Sequence, residues 1–238
     1  MTTIQGIIQK GIVNAQLQFD KMGYVSTNVS NYSTTGYKGV RFEQMLGENG
    51  YLTGVERTDF SQAAIQRTSR DFDVAIKGMG FIPVTSSTGE VTYTREGSFK
   101  LDKDGYLITN DGYLVGDGIQ FPVNYENFTV KPNGDVEVFS NDGTLQNEVI
   151  GNIPLVTFMN PEGLKKSDNN KYYLTAESGE PVLVKNHTRF VHGSLEASNI
   201  DMFDQINEVM RMNASLLASF KVMQTVNDMY SKALQLNQ

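Results

Sequence analysis

Residues 202–234 read MFDQINEVMRMNASLLASFKVMQTVNDMYSKAL, and their spacing decides the fold. Met202, Ile206, Val209, Asn213, Leu216, Phe220, Met223, Asn227, Tyr230 and Leu234 alternate in steps of four and three, the pattern of one helix face sustained over several heptads. Met210, Leu217, Val222, Val226 and Met229 add a second apolar stripe beside the first, which one flat partner would leave in water. Ser198 or Asn199 is placed to cap the start. Asp201 and Asp204 complement the positive end of the helix dipole, and Lys232 the negative end.

The opposite terminus carries the same spacing. Ile4, Ile8, Gly11, Ala15, Gln18, Met22, Val25 and Val29 fall on one helix face within a Pro-free run to Asn31. The stripe is broken at Gln18, and Gly6, Gly11 and Gly23 each cost a helix about 1 kcal/mol relative to Ala, so this helix is marginal alone. Between the two helices the texture changes to short alternating runs punctuated by Asp104-Gly105, Asp111-Gly112, Asn133-Gly134 and Asp142-Gly143, which mark hairpins. Strands are expected at 91–95, 98–101, 106–109, 128–131, 135–139, 153–158 and 182–184. The expectation is an α+β protein in which long N- and C-terminal helices form a coiled-coil-like stalk around a central all-β domain. Residues 1–45 and 192–238 would form the helical part, 46–59 a connector and 60–191 the β domain. The exposed stripes require partners, and Ile8, Ala15, Met22, Val29, Ile206, Val209, Leu216, Phe220, Met223, Tyr230 and Leu234 are the candidate assembly surface, with Asn213 and Asn227 setting register.

Composition narrows the function. With 39% apolar and 20% charged residues, 13 Phe and 11 Tyr, the 238-residue chain is that of a folded protein. Lys plus Arg total 20 against 27 Asp plus Glu, a net charge of -7, so no broad cationic surface is available for nucleic acid. The absence of Cys excludes disulfides, thiolate metal sites and thiol nucleophiles. Met1–Lys10 does not read as a secretory signal, and no run reaches the ~18 apolar residues of a membrane span. A cytoplasmic home follows unless export proceeds without a cleaved signal.

The search for chemistry yields little. His187 and His192 lack a carboxylate that would complete a metal or nucleophile constellation. Gly78-Met79-Gly80 follows an apolar run, but Pro83 stands where a dinucleotide loop needs its third glycine. Asp102, Asp104 and Gly105 begin like a calcium loop whose later ligands are missing, and a hairpin turn explains them better. Asp71 with Asp73, or Glu96 with Asp102, could pair as acid and base, with no motif in support. No enzyme activity, metal or cofactor is expected. What remains is the block Asn28-Val29-Ser30-Asn31-Tyr32-Ser33-Thr34-Thr35-Gly36-Tyr37-Lys38, in which Asn and Ser side chains can close the last helical turn and Gly36 can turn left-handed. It reads either as an ordinary helix cap or as a fixed joint between a buried helix and a projecting domain.

This block resembles the N-terminal signature of bacterial flagellar rod and hook proteins, Asn-x-x-Asn-x-x-Thr-Thr-Gly-Phe-Lys, with Asn28, Asn31, Thr34, Thr35, Gly36, Tyr37 and Lys38 at its positions. Three further blocks follow in family order. These are 59–62 with 73–81, then 92–102 with Gly105-Tyr106-Leu107 and Gly112-Tyr113, and finally Gly193-Ser194-Leu195-Glu196-Ala197-Ser198-Asn199-Ile200. The resemblance implies a structural rod subunit that self-assembles into a helical axial tube, transmits torque and passes exported subunits. Terminal helices would build the inner tube and the β domain the outer layer. It implies as partners further copies of the chain, neighbouring rod and hook proteins and the flagellar type III export apparatus. It also implies a place in the basal body reached without a cleaved signal peptide. The short 47–54 segment departs from distal-rod proteins, and 11–16 departs from the usual Gly-Met-x-Ala-Gln, so proximal and distal rod identities both stay open. Two competing readings stand beside it: a hook or hook-junction subunit of the same axial family, and a β-domain binding module on an oligomerising helical stalk.

Overall fold

The computed structural model describes residues 4–47, 50–140, 147–184 and 189–235. A helix stands at each end, α1 (Ile4–Ser30) and α2 (Met202–Gln235), and the sequence between them is rich in strands. The chain divides into two units. Met1–Tyr32, Gly39–Thr58 and Ile200–Gln238 form a helical unit, and Ser33–Lys38 with Asp59–Asn199 form a β unit. Among the described residues no helix is long and apolar enough to cross a membrane.

In the helical unit α1 and α2 pack antiparallel, as their contacts show: Gly11 lies against Met223, Asn14 against Ser219, Gln18 against Ser215 and Asn28 against Gln205. Asp201 caps α2, its Oδ1 accepting from the backbone N–H of Phe203 at 2.8 Å and of Asp204 at 3.4 Å. The caps expected at Ser198 or Asn199 are therefore displaced; the Asn199 amide instead donates to Asp59 O at 2.7 Å.

The stretch 46–59, expected to be a bare connector, is largely a strand. β1 (Val40–Leu46) and β2 (Leu52–Thr58) pair antiparallel over seven residues and lie along α1. The Phe42 ring stacks on Tyr24 at 5.3 Å and covers Gly54, where any Cβ would collide with it. A two-stranded ribbon is marginal in water, and its support here is the α1 surface. Gly54, one of the glycines of this segment, serves that close packing.

The β unit holds β3 (Ile65–Arg67), β4 (Val74–Lys77), β5 (Ile82–Thr85), β6 (Val91–Thr94), β7 (Phe99–Leu101), β8 (Leu107–Thr109), β9 (Leu114–Val115), β10 (Tyr125–Val130), β11 (Asp135–Ser140), β12 (Asn147–Asn152), β13 (Val156–Thr157), β14 (Lys165–Lys166), β15 (Lys171–Tyr173), β16 (Val182–Leu183), β17 (Arg189–His192) and β18 (Ser194–Glu196). Its largest sheet is antiparallel in the order β14-β15-β6-β5-β9-β8-β7, and β10-β11-β12 form another. The pairs β17-β4, β18-β3 and β13-β16 complete it. Ser194–Glu196, expected on the helical side of a boundary at residue 192, thus belongs to the β unit as a strand. The Asp-Gly and Asn-Gly turns hold: Gly105, Gly112 and Gly134 have φ of 81°, 89° and 94°, a region in which a side chain would be strained. The Asp142-Gly143 pair and His187 lie outside the described residues. One core gathers Val74, Ile76, Ile82, Val84, Phe99 and Val115 among others, and a second, aromatic cluster joins Phe81, Tyr93, Phe158 and Tyr172.

Candidate functional site

The Asn28–Lys38 block straddles the two units in sequence, and each half is fastened within its own unit. On the helical side, Asn28 is buried and its amide imitates a strand rung, donating to Val40 O at 2.8 Å and accepting from Val40 N at 3.0 Å. It thereby ends α1 and fixes the start of β1. Asn31 holds Thr27 O twice, through its backbone N–H at 3.2 Å and through Nδ2 at 2.9 Å, which closes the last turn.

On the β side, the Tyr37 N–H donates to Thr34 O, and Thr35 O accepts from Asn170 Nδ2 at 3.1 Å. Gly36 has φ of 67° and its N–H donates to Glu196 O at 2.8 Å; a Cβ there would lie 2.8 Å from Glu96 N. Both the conformation and the space require glycine. The Tyr37 ring is buried under Lys166 Nζ at 3.8 Å, and burial pushes its phenol pKa up.

Lys38 ends the block in a dry ionic hub. Its Nζ donates to Ser61 O and to Glu196 Oε1, both at 2.7 Å. Glu196 Oε1 also accepts the Ala63 N–H at 2.9 Å, and Oε2 takes Arg95 Nε at 3.0 Å. The remaining Arg95 donors reach Gly80 O at 2.8 Å and Gly78 O at 3.0 Å. The Gly78-Met79-Gly80 segment therefore serves as a guanidinium acceptor. Desolvation and the repulsion of Arg95 hold the Lys38 pKa below its ordinary value, against the opposing pull of Glu196. Two cations share one carboxylate, and backbone carbonyls accept from the other donors. Arg95 and Glu196 lay within recognised sequence blocks, but nothing local tied them to Lys38.

The candidate assembly residues separate into two rows. Met202, Gln205, Val209, Met212, Leu216, Ser219, Met223 and Val226 face α1 at least half-buried, with Met212 and Leu216 buried outright. The next row, Phe203, Ile206, Met210, Asn213, Leu217, Phe220, Gln224 and Asn227, is exposed and keeps heptad spacing. The sequence stripe straddles these rows. Ile206, Asn213, Phe220, Asn227 and Tyr230 are exposed, whereas Val209, Leu216 and Met223 face α1. On α1, Ile8, Ala15 and Met22 are half-buried and Val29 is exposed. The side chain of Leu234 lies outside the described residues. Sequence reading missed Asn14, Ser215 and Ser219 because polar side chains carry no apolar signal, yet they build the rungs of the seam. Phe203 escaped because it falls outside both stripes.

The geometry thus defines a class: a chain joining a helix pair with an exposed apolar heptad row to a β unit locked by a buried ionic hub. Comparison gives the family. The family described as "Flagellar hook protein FlgE/F/G D1 domain" matches residues 75–138. The flagellar basal-body rod protein FlgG of Buchnera aphidicola subsp. Schizaphis graminum is 31% identical over 90% of this chain and 93% of its own. Those of Caulobacter vibrioides and Bacillus subtilis are 29% and 28% identical, covering 89% and 95% of this chain and 92% and 96% of theirs. The chain belongs to the flagellar basal-body rod protein family, a structural and not an enzymatic one.

Proposed function

We propose that this chain is a structural subunit of the flagellar basal-body rod, assembling with copies of itself into a helical tube that transmits torque and passes exported subunits. The observation that carries this reading is the exposed row Phe203, Ile206, Met210, Leu217 and Phe220 on α2, at 46–79% exposure. So long an apolar heptad row calls for helices beyond α1, and coiled-coil packing between copies covers it. Asn213 and Asn227, spaced within the same row, set the register of that contact at some cost in stability. Contacts that repeat with a rotation that does not close generate a helical filament. Neighbouring rod and hook proteins are the remaining partners, and the export apparatus delivers the chain to the basal body without a cleaved signal. The rod names of the curated relatives favour this over a hook subunit.

Electron microscopy of basal bodies from cells lacking only this chain tests the reading. A rod truncated at a defined height is the expected result, and that height separates proximal from distal identity. An intact rod carrying its hook would overturn it.

A further inference from the structure

The seam between α1 and α2 is polar in places where a helix pair is ordinarily apolar. Gln18 is 5% exposed, and its Nε2 has Ser215 Oγ at 3.3 Å and both Asn14 Oδ1 and Gln44 Oε1 at 3.5 Å. One turn away Asn14 Nδ2 donates to Ser219 Oγ at 2.7 Å, and further along Asn28 Nδ2 donates to Gln205 Oε1 at 3.4 Å. Gln44, on β1, keeps a buried Nε2 that has no hydrogen-bond partner among the described residues. Amides and hydroxyls buried in this way are less stabilising than apolar side chains of the same size. Packing does not explain them, because Val25, Met212 and Leu216 already fill the seam.

Apolar packing alone leaves such a pair free to slide. The residues of α2 that face α1 recur every seven, so a shift of one heptad brings Met212 to the place of Gln205, Met223 to that of Leu216 and Val226 to that of Ser219. Apolar contacts survive this slide and the polar layers do not. Gln18 would lose Ser215 to Val222, Asn14 would lose Ser219 to Val226, and Asn28 would lose Gln205 to Met212. A slide the other way sets Asn14 against Met212 and carries Asn28 past the start of α2. Either error leaves buried amides unpaired, which is the costly case.

We infer that the Asn14–Ser219 and Gln18–Ser215 layers are a register lock, admitting one alignment of α2 on α1 and rejecting its heptad-shifted neighbours. A buried polar side chain in an apolar heptad seam specifies alignment while lowering stability. These four are positioning residues, and what they position is the exposed row from Phe203 to Phe220. A slid α2 would still present an apolar row, displaced by about 10 Å along α1. The purpose of the lock rests on the rod-subunit reading: copies that share one tube must present their rows at the same height.

The chain has no Cys, so an introduced pair reports alignment without background. Gly11 lies against Met223, so Gly11→Cys with Met223→Cys reads the native alignment, and Gly11→Cys with Tyr230→Cys reads the one shifted by a heptad. Intrachain disulfide formation is followed on the dilute, purified full chain under mild oxidation. In the native background only the 11–223 pair is expected to close. An apolar background, with Asn14→Leu, Gln18→Leu, Gln44→Leu, Ser215→Ala and Ser219→Ala, should melt no earlier than wild type, yet close 11–230 to an extent comparable with 11–223. Expressed from its own chromosomal locus without the introduced cysteines, the same chain should lose rod-bearing basal bodies; a merely structural role predicts that a chain of undiminished stability keeps them. A transposed background, with Ser215→Val, Ser219→Val, Val222→Ser and Val226→Ser, moves the hydroxyls by one heptad and should transfer closure from 11–223 to 11–230. It decides the matter should the apolar background not fold. Closure of 11–223 alone in either folded variant, or closure of 11–230 in the native background, overturns the inference and leaves the rod reading standing. A deletion strain with intact rods overturns the rod reading and leaves the disulfide result standing.

Discussion

Lys38 Nζ lies 2.7 Å from Glu196 Oε1, and both side chains are fully buried although 158 positions separate them in sequence. Removing one partner from a dry ion pair leaves an uncompensated charge, which costs far more than the pair contributes. Glu196 bonds both Lys38 and Arg95, so Glu196→Gln strands two cations. A loss of about 3–5 kcal/mol in unfolding free energy is expected, read by urea titration of tyrosine fluorescence. Lys38→Met leaves Glu196 bonded to Arg95 and to the Ala63 N–H, so its loss is smaller. Equal losses would show that Glu196 is not the centre of the hub.

The hub also shows where sequence reading stops. The two helices were legible because apolar residues recur at helical spacing, and the main hairpins because Asp-Gly and Asn-Gly turns punctuate them. β1 and β2 were not: Arg41, Glu43, Glu56 and Arg57 dilute their alternation, and Gly47, Gly50 and Gly54 read as linker. Asn28 and Gly36 could be singled out because capping and left-handed turns are local chemistry. The Lys38–Glu196–Arg95 convergence joins three distant segments, and charged residues default to the surface until a fold brings them together.

Tyr24 should titrate late. Its hydroxyl hydrogen-bonds the Glu56 carboxylate, and this bond, with burial and the nearby charges of Glu56 and Asp20, pushes its pKa up to about 12. A phenol whose folded pKa is raised stabilises the fold fully below its unfolded value of 10.0, and that contribution is lost as the pH rises from there through about 12. Tyr172, buried and raised further, acts in the same direction. Absorbance titration of tyrosinate should show a late step that disappears in Tyr24→Phe and moves to lower pH in Glu56→Gln. An unmoved step in Glu56→Gln would refute the assignment.

Asp73 is fully buried, and among the described residues neither carboxylate oxygen has a hydrogen-bond partner; Arg70 Nε stands 3.9 Å from Oδ1 on an exposed side chain. A buried charge so weakly compensated is costly. Asp73→Asn keeps the shape and removes the charge, so it should stabilise the β unit by about 1 kcal/mol, seen as a rise in melting temperature of a few degrees. A fall would mean that the charge has a role in the fold that Arg70 alone does not account for.

Leu216 and Leu217 are adjacent on α2 and do different work. Leu216 is 9% exposed and faces α1, whereas Leu217 is 70% exposed in the outer row. Leu216→Ala removes seam packing and should cost the helical unit about 2–5 kcal/mol, visible as an earlier loss of helical circular dichroism. That effect precedes assembly, so a failure of Leu216→Asp to build rods would say little about contacts between copies. Leu217→Asp exchanges one exposed side chain for another and should change monomer stability by no more than about 0.5 kcal/mol. It places a carboxylate where neighbouring helices must close, and burying an unpaired charge there should abolish rods in basal bodies. Normal rods with Leu217→Asp would remove the outer row from the assembly interface and leave α2 acting only through α1.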